Sequence, residues 1–340
     1  MSGRIGLKQL GERLGLDVST VSRALRGDPR VHPDTAETVR RLARELDYRP
    51  NSAARALRGG ATNRVAVLLS PPQQRFASPI FLELLATLDQ RLRQTGRTLA
   101  VFAASAREEE PEIVRSIVED RLADGLVLGR TRLGDERVRY LLDRGFPFVT
   151  LGRTDWPDRH PWIEIDYRRA GEIAVETLAE GAPRTLHVLA APERLRFADS
   201  YVAGAQEAAK ALGLPAPQVH RGELTEEVGE MLAGPILARG GQPALACIQD
   251  AFAFGAFRAA AAQCLRFGEA ATICGGQDFP GSEHTAPPLT TFSTEDAHVA
   301  ELLSDVMLVR LDGDGTGPFR NHVVTPTPIL RRSHILAQPI

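Results

Sequence analysis

From Arg64 onward the chain alternates between short apolar runs and longer amphipathic stretches, and this alternation limits the folds open to it. Val65-Ala66-Val67-Leu68-Leu69, Leu99-Ala100-Val101-Phe102, Gly125-Leu126-Val127-Leu128-Gly129 and Phe148-Val149-Thr150-Leu151 are continuous apolar runs, as in strands buried on both faces. Helical stretches lie between them, over about 79–94, near 108–122 and near 135–144. Repeated strand–helix alternation predicts a parallel sheet covered by helices on both sides. After a loop at 155–161 the pattern restarts with Ile163-Glu164-Ile165-Asp166 and a helix over 167–180. Leu186-His187-Val188-Leu189, helices near 199–212 and 226–238, Ala244-Leu245-Ala246-Cys247-Ile248, a helix near 252–265 and Ala271-Thr272-Ile273 follow. Two similar α/β lobes predict a cleft between them, with ligands beyond the carboxyl ends of the strands.

The first sixty residues have a different pattern. Leu7, Leu10 and Leu14 form one stripe of a short helix. Gly15 can take positive φ and end it, and Asp17 is a good N-cap for a second helix. In that helix Val21 and Leu25 point inward, while Ser19, Thr20, Ser22 and Arg23 face outward. Two short helices joined by a glycine turn suit a helix-turn-helix, whose second helix enters the major groove N-terminus first. The alternative is a surface helical hairpin that touches nothing. A third helix opens at His32-Pro33-Asp34, with Pro33 suited to the first helical position. Its stripe of Val39, Leu42, Ala43 and Leu46 completes a small core with Leu10, Leu14, Val21 and Leu25. Asn51 can cap a further short helix through Ala53, Ala54 and Ala56, but so few residues are not helical alone. Gly59-Gly60 then frees the chain, so this stretch reads as a linker that stays unfolded until something docks on it. Leu57 either packs on the body as a linker leucine or wedges between base steps in a minor groove, with Arg58 approaching that groove.

Charge divides the same way. Residues 1–60 hold 12 Lys+Arg against 7 Asp+Glu, a balance of +5, and the rest holds 29 against 36, a balance of −7. A basic head on an acidic body fits nucleic-acid binding by the head alone. Cys247, Cys264 and Cys274 lack metal-ligand spacing and read as reduced thiols of a cytoplasmic protein. No apolar run suggests a signal peptide or a membrane span, so no membrane association is expected.

Val18-Ser19-Thr20-Val21-Ser22-Arg23-Ala24-Leu25, Arg30-Val31, Leu46-Asp47-Tyr48-Arg49-Pro50-Asn51 and Ala54-Arg55-Ala56-Leu57-Arg58 match, in order and spacing, the head and hinge of another group of proteins. Residues 1–60 thereby resemble the LacI/GalR family of bacterial transcription repressors. The resemblance implies a three-helix helix-turn-helix head over 1–50 and a hinge helix and linker over 51–62. It implies a two-lobed, periplasmic-binding-protein-like parallel α/β core over 63–340 for effector binding and dimerisation. It also implies that Val18, Ser19 and Arg23 read base edges and that Thr20 and Ser22 hold phosphates. Arg30, Asn51 and Arg58 join them on the DNA side. Leu57 is implied to kink the centre of a near-palindromic double-stranded operator. Pro288-Leu289-Thr290-Thr291 and Arg331-Arg332-Ser333 resemble late motifs of the same family.

Family members mostly bind a small molecule in the cleft, most often a sugar. By that resemblance Ser78 bonds a hydroxyl and Phe81 walls the pocket. Arg153 matches a Gly-Arg of the glucoside-responsive branch. Asp166 ends a strand at the lobe crossing, and Gln249-Asp250 matches a Ser/Asn-Asp pair, with Asp250 the foremost effector ligand. Two positions depart from the family pattern. Tyr201 stands where an arginine is usual, and Gln277 replaces the first aspartate of Gly-aromatic-Asp-Asp. Losing a charged donor and a charged acceptor changes what can be held, unless Arg196 substitutes. Each residue also has a plainer reading. Asp166 and Asp250 cap helices, Phe81 is core, Arg153 is a salt-bridged loop residue, Trp162 anchors a loop, and Glu108, Glu109 and Glu110 form a solvated helix start.

The expected function is therefore a dimeric DNA-binding transcription regulator, a repressor released by a small sugar or glucoside. The alternative is a regulator that answers a non-sugar metabolite or acts with a corepressor. A transport sugar-binding protein would have a signal peptide and no basic head. An enzyme is not expected, because no nucleophile–base pair or metal spacing appears and Gly275-Gly276 lacks the full phosphate-loop pattern. No cofactor is expected either.

Overall fold

The structure is a computed structural model that describes residues 7–25, 31–46, 61–69, 79–105, 109–181, 183, 185–313, 319 and 321–336. The chain divides into two compact units, Met1–Thr62 and Asn63–Ile340.

In the first unit, α1 (Leu7–Leu14) ends at Gly15, whose φ of 65° needs no side chain to be accommodated. Asp17 then opens α2 (Val18–Leu25), its Oδ1 accepting from the Ser19 N–H at 2.7 Å. Helix α3 (Pro33–Glu45) packs across both. Leu10, Val21, Ala24, Ala36, Val39 and Ala43 form the buried core, with Leu14, Leu16, Leu25, Val31 and Leu46 around it.

The second unit begins with β1 (Arg64–Leu69), α4 (Pro79–Gln94) and β2 (Thr98–Ala103). Then come α5 (Glu110–Glu119), β3 (Gly125–Leu128), α6 (Glu136–Asp143), β4 (Phe148–Leu151) and β5 (Trp162–Ile165). The strands form a parallel sheet whose far edge is β11 (His322–Val324), in the order β11-β5-β4-β3-β1-β2. Strand alternation sorts the side chains onto two faces. Val65, Val67, Val127 and Val149 meet α4 and α11 (Asp296–Asp312), while Ala66, Leu68, Leu126, Leu128 and Phe148 meet α5 and α6.

The second lobe contains α7 (Tyr167–Ala179), β6 (Thr185–Ala190), α8 (Arg196–Ala211), β7 (Gln218–Arg221), α9 (Glu226–Ala238), β8 (Pro243–Cys247), α10 (Asp250–Ala262) and β9 (Thr272–Cys274). Its parallel sheet has the order β7-β6-β8-β9. An antiparallel pair, β10 (Thr291–Ser293) with β12 (Thr327–Ile329), adjoins it through a bridge from Cys274 to Thr290. Helices α7 and α8 approach backbone to backbone. A Cβ on Gly204 would sit 1.9 Å from the Arg168 carbonyl oxygen, and one on Gly171 would sit 2.1 Å from that of Tyr201.

The lobes are not consecutive halves of the sequence. The Ile163 run, read as the start of the second lobe, is β5 of the first sheet, hydrogen-bonded in parallel to β4 and β11. The chain then crosses three times, at Asp166, between β10 and α11, and between β11 and β12. Helix α11 and strand β11 thus return to the first lobe.

Candidate ligand cleft and nucleic-acid interface

Between the two lobes lies a cleft with about 690 Å³ of empty space, counting the part that opens to solvent. Its walls are residues that directly follow strands, where parallel sheets place ligands. Arg130 and Thr131 follow β3, Gly152 follows β4, and Glu164 and Ile165 end β5. From the second lobe come Tyr167, then Arg196 and Phe197 at the start of α8, Gln249 before α10, and Gln277 after β9. Phe81 of α4 closes one side. Gly152 has a φ of 106°, and a Cβ there would meet Thr131 Oγ1 at 2.6 Å, so the backbone can approach only as glycine.

The polar groups form a chain. Gln249 Nε2 donates to Gln277 Oε1 at 2.5 Å, and Gln277 Nε2 donates to Tyr167 Oη at 2.7 Å. Burial pushes the Tyr167 hydroxyl well above its ordinary value, so it keeps its proton and can still donate. Gln249 Oε1 and Arg196 Nε are buried and have no partner among the described residues. The Tyr167 and Phe197 rings lie 5.1 Å apart, and the Arg130 guanidinium stands 6.0 Å from the Phe197 centroid. Arg130 also lies 4.0 Å from Glu223. Burial raises the Glu164 carboxyl despite the Arg153 N–H, which donates to its Oε2 at 2.6 Å.

The loop carrying Arg130 and Thr131 rests on a buried ion network. Arg137, 2% exposed, donates to Asp135 at 2.9 and 2.7 Å and to Glu110 at 2.6 Å. Its Nη2 also reaches the carbonyls of Gly129 and Arg130 at 3.4 and 3.1 Å. Glu110 is therefore no solvated helix start. It is 1% exposed and paired with Arg132 as well as Arg137.

Of the effector residues expected from the sequence, Phe81 and Gln277 line the cleft. Ser78 lies outside the described residues. Asp250 must be moved from ligand to scaffold, because it is 0% exposed and both its oxygens are committed. Oδ1 accepts from Gly276 N–H and Thr291 Oγ1, and Oδ2 accepts from Phe279 N–H and Ser282 Oγ. That clip ties β9 and β10 to α10. Asp166 caps α7 through the Arg169 N–H at 3.0 Å and is not among the lining residues. Arg153 stacks on Trp162, its guanidinium 4.5 Å from the ring centroid, and Trp162 Nε1 in turn anchors the loop at the Pro157 carbonyl. Tyr201 is buried in the second lobe's core beside Phe292, and its Oη has no partner among the described residues. Tyr201→Phe is accordingly expected to raise stability by about 1 kcal/mol by removing an unsatisfied hydroxyl. Denaturant unfolding would measure this, and a loss of more than that amount would show that the hydroxyl has a partner.

Arg130, Glu164, Tyr167 and Gln249 went unassigned as contacts in the sequence. Each stands at or just beyond the end of a strand or before a following helix, and taking those positions in turn would have found them.

In the first unit, Ser19 and Arg23 are exposed on α2, and Val18 and Thr20 are half-buried. They lie off the face that buries Val21 and Ala24. Ser22 is in α2. Arg30, Asn51, Leu57 and Arg58 lie outside the described residues.

Two family profiles match this chain. One, described as periplasmic binding proteins and sugar binding domain of LacI family, covers residues 62–278. The other, bacterial regulatory proteins, lacI family, covers residues 12–51. The HTH-type transcriptional regulator AglR of Rhizobium meliloti is 31% identical over 84% of this chain and 82% of its own length. The HTH-type transcriptional regulator CelR of Thermobifida fusca is 27% identical over 92% and 94%. A solved structure of a transcriptional regulator CelR–cellobiose complex has a TM-score of 0.73 at 24% identity, covering 97% of this chain and all of that one, and shows the same fold.

Proposed function

This chain belongs to the LacI family and is a ligand-responsive, DNA-binding transcription regulator, and we propose that it is a repressor released by a small neutral sugar or glucoside. The cleft carries this reading. Phe81 and Phe197 offer aromatic faces for the apolar side of a sugar ring. Gln249 Oε1 needs a donor and Arg196 Nε needs an acceptor, and a hydroxyl is both. The Arg130 and Arg196 charges already face Glu223 and Asp155, so the cleft has no surplus positive charge for an anionic ligand. The cellobiose seen in the CelR structure is consistent with this chemistry.

The proposed organisation is a head over 1–50, a hinge over 51–62 and an effector core over 63–340. One small head makes few contacts, so two on a near-palindromic duplex are needed for tight binding. A cytoplasmic location is part of this proposal, because the DNA it acts on lies there. Separately, no helix among the described residues is long and apolar enough to cross a membrane.

Thermal melting with cellobiose tests the effector. A sugar at a hundredfold its Kd adds about 2.7 kcal/mol and raises the melting temperature by several degrees. Gln249→Leu, which removes the unpaired acceptor, is expected to weaken cellobiose binding about tenfold. A shift with a sugar phosphate or a nucleobase, and none with any neutral sugar, would favour the non-sugar alternative.

A further inference from the structure

Besides lining the cleft, Arg196 fastens the lobes to each other. It is the first residue of α8, in the second lobe, and its Nη2 donates to Asp155 Oδ1 in the first. Asp155 is itself fixed, because its Oδ2 accepts from the Gly134 N–H at 2.6 Å. Around this ion pair the backbones of the two lobes form a short antiparallel patch. Arg132 bridges Leu195, the Leu133 N–H donates to the Arg194 carbonyl at 3.2 Å, and the Arg196 N–H donates to the Thr131 carbonyl at 3.3 Å. None of the three chain crossings lies in this patch, so these bonds hold only while the lobes are closed.

Arg196 also lines the cleft, and its Nε is buried and without a partner among the described residues. We propose that Arg196 couples cleft occupancy to lobe closure, with Asp155 as its latch. This rests on the reading of the cleft as the effector site. An occupant that supplies an acceptor takes Nε while Nη2 stays on Asp155. Two fixed bonds on one rigid plane hold the guanidinium more firmly than one. The occupied cleft therefore favours the closed arrangement, and a ligand shifts such an equilibrium only through a contact of this differential kind. Tyr201, where the family usually has an arginine, is packed in the second lobe's core and brings no cation to the cleft, whereas Arg196 lines it.

Hydrogen exchange of the full chain reads the latch directly, because the Leu133 and Arg196 amides donate across the lobes. Without ligand, Asp155→Ala is expected to speed exchange at these two amides about five- to tenfold, while Val127 and Val188, in the strand cores, stay as in the wild type. Cellobiose is expected to slow exchange at both amides in the wild type. Arg196→Lys keeps a cation for Asp155 but has no Nε–H, so it should lose that added protection. Unchanged exchange in Asp155→Ala overturns the latch, and full cellobiose protection in Arg196→Lys overturns the coupling. A wild type that ignores cellobiose rules out that sugar as the effector, and the ligand-free comparison still decides the latch.

Discussion

Arg137→Met is expected to destabilise the effector core by about 3–5 kcal/mol, because it leaves the buried Asp135 carboxylate without its chief cation and Glu110 with Arg132 alone. Arg137 and its partners Asp135 and Glu110 have side chains only 2%, 1% and 1% exposed, so water screens the pairs little. Among the described residues the site has no second cation of equal reach. Arg132 meets Glu110, but Asp135 relies chiefly on Arg137. The pH dependence should change sign with the substitution. Burial alone would raise the Asp135 carboxyl, but the Arg137 hydrogen bonds and charge, with the Arg132 charge, outweigh it and hold the carboxyl below its ordinary 3.8. In the wild type this contribution is complete above that ordinary value and is lost as pH falls towards the lowered one. In the variant burial is unopposed by Arg137, so protonation relieves the penalty and the deficit narrows as pH falls from neutral. Denaturant unfolding at neutral and mildly acidic pH measures both effects. A neutral-pH deficit below about 1 kcal/mol, the range of a surface pair, would show the network to be dispensable. Arg137 also braces the Gly129 and Arg130 carbonyls, so the variant should lose effector affinity as well.

Arg23→Ala should weaken binding to the specific duplex by about 2–6 kcal/mol, the cost of one bidentate base contact counted once in each of two heads. Arg23 is exposed on α2, while Leu10, Val21 and Ala24 on the opposite side hold the head together, so the substitution leaves the fold intact. A base-reading role predicts almost no change in binding to random duplex and little change in salt dependence. A phosphate-holding role predicts a uniform loss on all sequences and a shallower salt slope. Titrations of both duplexes at several fixed salt concentrations separate the two.

The lobes and the head were legible because their cores are periodic. Val65, Val67, Ala66 and Leu68 announce a strand buried on both faces, and Gly15-Leu16-Asp17 announces a helix stop and a helix start. The three crossings were not legible, because β5 and β6 look alike as apolar runs, and nothing local says which sheet a strand will join. Helix α11 and strands β10 to β12 escaped for a related reason. Their partners lie far off in sequence, as when Val324 pairs with Ile165. At the site, an aspartate before a helix reads equally as cap or ligand. Only the four donors converging on Asp250 decided that case, and only the packing around Tyr201 showed that it faces the core. Arg196 was legible as a charge near the cleft, but its bond to Asp155 across the lobes was not.

One titration decides whether a small solute between the lobes sets the grip of the head on DNA. The full-length protein is titrated against a near-palindromic duplex selected from a random pool, at one salt concentration, with and without saturating cellobiose. Tight binding to the selected duplex is expected, with an affinity at least about tenfold weaker when the sugar is present. A protein that prefers no duplex over random competitor, or whose affinity is unchanged or strengthened by the sugar, contradicts it.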